Sequence, residues 1–133
     1  MITRVEVHSF GYLHGQPGAG LVIDLRHQLR DPHVNPEMRA LTGLHPLVRD
    51  HVLMHPSALT TVRDIADQVM GLLDGFANRR SLLVHVWIGC QGGRHRSVVV
   101  AESVAAWLRE HDIGVDVVHE HIDRPVVERR GDR

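Results

Sequence analysis

The sequence predicts an α/β fold: a small single domain spanning residues 1–133, with a mostly parallel central sheet and a strand, Gly-rich loop and helix arranged to hold an anion. Three observations carry this prediction. Ser81–Ile88 (SLLVHVWI) is a nearly continuous apolar run of strand length, as expected for a central strand covered on both faces. It leads through Gly89-Cys90-Gln91-Gly92-Gly93-Arg94-His95 into Arg96–Glu110, where Val99, Val100, Val104, Ala105 and Leu108 keep a helical spacing. Val115–His119 (VDVVH) reads as the next strand, so residues 81–119 form a β-loop-α-β unit with parallel strands and a right-handed crossover.

The remaining elements follow in order. Thr3–Ser9 alternates polar and apolar residues and reads as a strand; Leu21–Asp24 reads as a second, buried strand ending on an acid. Gly11, Gly15, Pro17, Gly18 and Gly20 make the connection rich in turns. Between Arg26 and Leu47, Pro32, Pro36 and Pro46 interrupt any sustained period, which predicts an irregular stretch with at most short helices. A stretch of this length in a compact domain is usually functional. Pro46–Met54 is a candidate short helix. Ser57 is placed to cap a longer one in which Leu59, Val62, Ile65, Ala66, Val69, Leu72, Leu73 and Phe76 recur at spacings of three and four before Gly75 and its neighbours end it. No repeat, low-complexity tract or linker divides the chain.

With 43% hydrophobic and 23% charged residues, the composition is that of a globular chain rather than a disordered or fibrous one. At this size roughly two thirds of the unfolded surface becomes buried, so neither a metal nor a disulfide is needed for a core. A lone Cys90 cannot pair internally and fits a reducing cytoplasm, the expected location. No run approaches the ~20 apolar residues of a membrane span, and Met1-Ile2-Thr3-Arg4 does not open a signal peptide, so no membrane partner is expected. Fifteen basic against sixteen acidic residues give a net charge of -1, so any anion site must be local. All the basic residues are Arg, whose planar fork suits phosphate, and Gly75–Ala101 holds Arg79, Arg80, Arg94 and Arg96 with no acid.

A buried strand, a glycine loop and a helix N-terminus together make an anion cradle. Gly89, Gly92 and Gly93 allow positive φ and close backbone approach, Arg96 offers two donors, and Ser97 can cap or donate. The same turn could also simply be packed tightly. There is no Gly-Lys-Ser/Thr, so nucleotide hydrolysis at a P-loop is not expected, and no cofactor is. The segment also matches Cys-x-x-Gly-x-x-Arg-Ser, which resembles the phosphate loop of cysteine-dependent phosphatases. On that reading Cys90 is the nucleophile, Arg96 holds the phosphoryl oxygens, and Asp24 or Asp31 is the candidate general acid. Gly89 stands where such loops usually carry His before the Cys, and no Trp-Pro-Asp acid loop is visible. Cys90 can equally be a small buried residue at a strand end. Among 12 His, the run His119-Glu120-His121 with Asp123 suggests a metal, yet His33, His85 and His95 cannot be joined to it from the sequence, and no metal site is assigned. Arg124, Arg129, Arg130 and Arg133 form a mildly basic tail.

Several patterns taken together resemble the RapZ family of RNase adapter proteins, in its C-terminal domain. They are Ser9-Phe10-Gly11-Tyr12, Asp24-x-Arg26, Asp31-Pro32-His33, Leu41-Thr42-Gly43-Leu44, Ile88-Gly89-Cys90-x-Gly92-Gly93-x-His95-Arg96-Ser97-Val98, Ala101-Glu102 and His119. The resemblance implies a non-catalytic, regulatory binding module for a small phosphorylated metabolite, an amino-sugar phosphate such as glucosamine-6-phosphate. It implies a ligand pocket of Asp24, Arg26, His33, Arg39, Gln91, Gly92 and Arg96, with Cys90 and His95 lining or bracing the loop; the anion-cradle reading adds Gly93 and Ser97 to the ligand-binding candidates. The partners it implies are small RNA and an endoribonuclease; a separate P-loop protein and a second copy of the chain are left open. Asp31 stands where the family usually has Asn, and Gln91 where it has a small hydroxyl residue. A cysteine phosphatase and an RNA-binding adaptor acting through the arginine tail remain the alternatives.

Overall fold

The structure, a computed structural model, describes residues 2–75 and 83–126. The chain runs β1 (Thr3–Gly11), β2 (Leu21–Asp24), a 3-10 turn (Pro32–Val34), α1 (Pro36–Arg39), α2 (Pro46–Leu53), α3 (Ala58–Asp74), β3 (Val84–Cys90), α4 (Arg96–Glu110) and β4 (Gly114–His119). The four strands form one sheet in the order β2-β3-β1-β4, with every neighbouring pair parallel. β3 and β4 are therefore not adjacent: α4 carries the chain across β1, which occupies the centre beside β3.

The period-two pattern of the strands separates two faces. Val5 and Val7 of β1, Val84, Val86 and Ile88 of β3, and Val115 of β4 meet Val62, Ile65, Ala66, Val69 and Leu73 of α3 and Val100, Ala101, Val104, Ala105 and Leu108 of α4. Each large side chain sealed there contributes about 1.5–3 kcal/mol relative to exposure. A second cluster, Met38, Val48, Val52 and Val99, anchors α1 and α2 on the far side of α4. Both short helices open with Pro in the first turn, and the side chains of Asn35 and His45 accept the backbone N–H of Glu37 and Leu47. The prolines between Arg26 and Leu47 thus punctuate short helices, as the broken period predicts.

Four expectations are corrected. β2 is an edge strand with alternate residues exposed, not a buried one, because only β3 pairs with it. β3 is covered by helices on one face only; on the other, His85 and Trp87 are half-buried. Ser57 occupies the cap position of α3, yet its side chain makes no capping hydrogen bond, and its carbonyl takes the N–H and hydroxyl of Thr61. Of Gly89, Gly92 and Gly93 only Gly93 has positive φ, +74°. Phe76, Arg79, Arg80, Ser81 and Leu82, and the tail residues Glu128, Arg129, Arg130, Asp132 and Arg133, lie outside the described residues.

Because the strands are parallel, their C-terminal ends share one edge. Gly11 pairs with Cys90 and Asp24 with Gly89, so the end of β2, the end of β1 and the glycine loop converge there. Among the described residues no helix is long and apolar enough to cross a membrane.

Candidate functional site

β3 runs through Gly89 to Cys90, two residues beyond the apolar run, because pairing with β1 continues: the carbonyls of Cys90 and Gln91 accept the N–H groups of Tyr12 and Leu13. The turn then has to pack backbone against backbone. A Cβ on Gly93 would lie 2.5 Å from the nitrogen of Gly11, and one on Gly11 would lie 2.3 Å from the carbonyl carbon of Gly92. Gly89 is held by a different constraint, since a Cβ there would enter the rings of Phe10 and Tyr12. Gly92 has open space around its Cα. Glycine is thus required at 11, 89 and 93 by packing, and at 92 a side chain would project freely.

A cleft opens where this turn meets the start of α4, at the sheet edge that holds ligands in open α/β folds. Its lining includes Cys90, Gln91, Gly92, Arg94, His95 and Arg96 from the turn, Asp31 and His33 from the irregular stretch, Leu13 from the end of β1, and Arg124–Val126. Three guanidinium groups and one carboxylate therefore surround it. The helix α4 begins with no side-chain cap, His95 being its cap residue with φ −116° and ψ −87°.

Arg96 is 4% exposed and inward-facing. Its Nη1 donates to the carbonyls of Leu25, Arg26 and Gln28 at 3.0, 3.2 and 3.1 Å, and its Nη2 to Asp31 at 3.3 Å. Nε is buried with no hydrogen-bond partner. Asp31 is fixed in turn by accepting the N–H of His33 at 3.0 Å. Arg94 reaches the other way: Nε donates to the carbonyl of Leu41, Nη2 to that of Ala40, and Nη1 to those of Ile122 and Arg124. His95 donates from Nε2 to the carbonyl of Arg39 at 3.1 Å, since a carbonyl can only accept. Burial holds the His95 imidazole below its usual range, so the ring is neutral.

The sequence-predicted residues therefore fall into two sets. His33, Cys90, Gln91, Gly92, His95 and Arg96 line the cleft; Asp24, Arg26, Arg39, Gly93 and Ser97 do not. Asp24 and Arg26 are paired with each other, Nη2 to Oδ2 at 2.7 Å, with the guanidinium 3.7 Å above the Tyr12 ring. The hydrogen bond from Arg26 holds the Asp24 carboxyl below its ordinary range. Arg26 reaches the cleft through its main chain alone, because Arg96 binds its carbonyl. Arg39 donates to the His33 carbonyl at 2.7 Å and accepts His95, bracing both histidines from behind. Gly93 gives its N–H to Cys90 Sγ at 3.3 Å, and Ser97 Oγ lies 3.1 Å from the same sulfur. Leu13, Asp31, Arg94, Arg124, Pro125 and Val126 are the lining residues outside the pocket that the resemblance implies. The absence of any acid between Asp74 and Glu102 was the one signal that drew attention to Arg94.

The metal suggested by His119-Glu120-His121 has no common centre. His119 binds Ser9 Oγ at 2.6 Å and Glu102 at 2.8 Å, whereas His121 accepts the N–H of Gly11 beyond the end of β4. One pair faces the helix side and the other the sheet edge.

An all-parallel sheet with helices against one face, and a cleft of guanidinium, imidazole and main chain at the strand ends, defines a small α/β domain with a candidate binding cleft. The chain belongs to the RapZ C-terminal domain family, whose model matches residues 3–123. Similar curated proteins include a nucleotide-binding protein of Thermobifida fusca, 38% identical over 122 residues, covering 91% of this chain and 41% of that protein. A nucleotide-binding protein of Mycobacterium tuberculosis is 38% identical over 124 residues, 92% of this chain and 41% of its own length. One of Mycolicibacterium vanbaalenii is 40% identical over 123 residues, 92% and 38% respectively. The chain thus spans about two fifths of the length of these relatives.

Proposed function

We propose that the cleft binds a small phosphorylated metabolite, an amino-sugar phosphate of the glucosamine-6-phosphate kind, and that the domain is a regulatory binding module rather than a hydrolase of nucleotides. The observation that supports this most is the composition of the lining: Arg94, Arg96 and Arg124 with two histidines around a single carboxylate, at an uncapped helix start. Phosphate suits the main chain of Gln91–Gly92 and the cationic wall; a protonated amine suits Asp31. Asp24, Arg26 and Arg39 act on this site by holding backbone, not by reaching into it. A cytoplasmic setting, where a lone thiol stays reduced, belongs to the same proposal. The relatives' description as nucleotide-binding applies to proteins more than twice this length, and no Gly-Lys-Ser/Thr occurs in this chain.

Calorimetric titration with glucosamine-6-phosphate, glucosamine and inorganic phosphate tests the reading. Gly92→Ala, which meets no protein atom, is expected to weaken binding at least about ten-fold while leaving the melting temperature unchanged. No heat from any sugar phosphate, or equal affinity in the variant, would overturn it.

The phosphatase reading keeps one observation in its favour. Cys90 Sγ borders the cleft and accepts the Gly93 N–H, the kind of donor a nucleophilic sulfur needs, while its thiol donates to Ser97 Oγ. Turnover of an aryl phosphate that disappears in Cys90→Ser decides it. Small RNA, an endoribonuclease, a P-loop protein and a second copy of the chain are proposed partners on family membership alone. A steep loss of RNA affinity with salt is the signature to seek.

A further inference from the structure

We propose that Glu6, His8 and His85 form a binding site for a divalent transition-metal ion of the zinc class, on the sheet face that no helix covers among the described residues. Glu6 and His8 are two apart on β1, so their side chains leave the same face, opposite Val5 and Val7. His85 on β3 is the direct partner of Glu6 in the parallel register. Three ligand atoms converge: His8 Nε2 lies 3.0 Å from Glu6 Oε1 and 3.2 Å from His85 Nδ1, and His85 Nδ1 lies 3.8 Å from the same Glu6 oxygen.

These separations are the edges of a coordination polyhedron. Zinc binds imidazole nitrogen and carboxylate oxygen at about 2.0–2.2 Å in a tetrahedron, which sets ligand atoms about 3.3–3.5 Å apart. The three observed edges bracket that spacing. Two imidazoles and one carboxylate are a donor set that such ions prefer over calcium or magnesium. The fourth position is open, because the side chains of His85 and Glu6 are 38% and 28% exposed.

Two surrounding contacts prepare the site. His8 Nδ1 lies 2.8 Å from Glu120 Oε1, which can accept a proton from it, and Nε2 is the ring nitrogen turned toward Glu6 and His85. A carboxylate behind the outer nitrogen is the usual arrangement for a metal-binding imidazole. Nε2 thus faces a carboxylate oxygen and a second ring nitrogen, the other two donor atoms of the set. Trp87 stacks on the His8 ring at 3.7 Å and 6°, and is itself fixed by donating Nε1 to the Ala19 carbonyl at 3.0 Å. The ring plane of His8 is thus set before any ion arrives.

Chelator-stripped protein titrated with Zn²⁺, followed by calorimetry and by metal content after dialysis, tests the proposal. The wild type should take up about one equivalent at this site. His85→Ala, which removes a partly exposed side chain, and Glu6→Gln should each weaken uptake at least about ten-fold, and Glu120→Gln about ten- to a hundred-fold. Co²⁺ should give the intense visible bands of a four-coordinate site in the wild type and lose them in His85→Ala. His14→Ala/His121→Ala, which removes a separate histidine pair with ring centroids 5.6 Å apart, should leave uptake unchanged. No stoichiometric uptake by the wild type, or uptake equal in His85→Ala and Glu6→Gln to that of the wild type, would overturn it. So would a loss confined to the His14/His121 variant.

Discussion

Arg96 has two tasks in the cleft, and they can be measured apart. Three carbonyls and Asp31 take hydrogen bonds from its guanidinium, so Arg96→Ala removes a buried bond to Leu25, two part-buried ones to Arg26 and Gln28, and the ion pair with Asp31. A loss of about 3 kcal/mol in urea denaturation is expected, together with loss of ligand binding, whereas Gly92→Ala loses binding alone. His95 gives a second residue-scale prediction. Its imidazole is held below its usual range by burial, so the unfolded chain takes up a proton that the folded chain refuses. Stability from this group is complete above about pH 6.5 and falls as the pH drops from there toward the lowered native value. His95→Gln should flatten that part of the stability profile between pH 7 and 5, measured by denaturant midpoints. A slope unchanged by the substitution would assign the effect to other histidines.

At the scale of elements, the helices and strands were legible because period and punctuation are local. Val62, Ile65, Ala66, Val69 and Leu73 of α3 face the core as their spacing requires, whereas Leu59 and Leu72 of the same pattern are exposed, and the prolines mark the starts of α1 and α2. Capping was less legible, since a cap residue type does not reveal whether its side chain turns toward the helix. Ser57→Ala should therefore cost less than about 0.5 kcal/mol, against about 1 kcal/mol for Asn35→Ala, whose oxygen accepts the Glu37 N–H. Edge position was also hidden, because Leu21–Asp24 reads equally well as an inner strand until its single neighbour is known. The glycine turn carries the sharpest element-scale prediction. Gly93→Ala combines positive φ with a contact to Gly11 that cannot relax, and should lower stability by more than about 2 kcal/mol with thermal unfolding as the readout.

Across the whole molecule, what escaped the sequence is what joins distant residues. Arg96 and the carbonyl of Leu25 are 71 positions apart, and His8 and His85 are 77 apart. The glycine loop announced a cleft by its composition, but only the parallel register brings Asp31 and His33 to it while leaving Asp24 and Arg26 to one side. Ligand that binds only the folded chain should raise stability by about 2.7 kcal/mol at a hundred times its dissociation constant, seen as a thermal shift that grows with concentration. One clasp has a wider reach. The Arg94 guanidinium grips residues 40–41 with one side and residues 122–124 with the other, so two distant stretches of chain share a single button. Undo it, and amide hydrogens near Gly43 and near Arg124 should begin exchanging with solvent deuterium in concert, although 81 positions separate them along the chain.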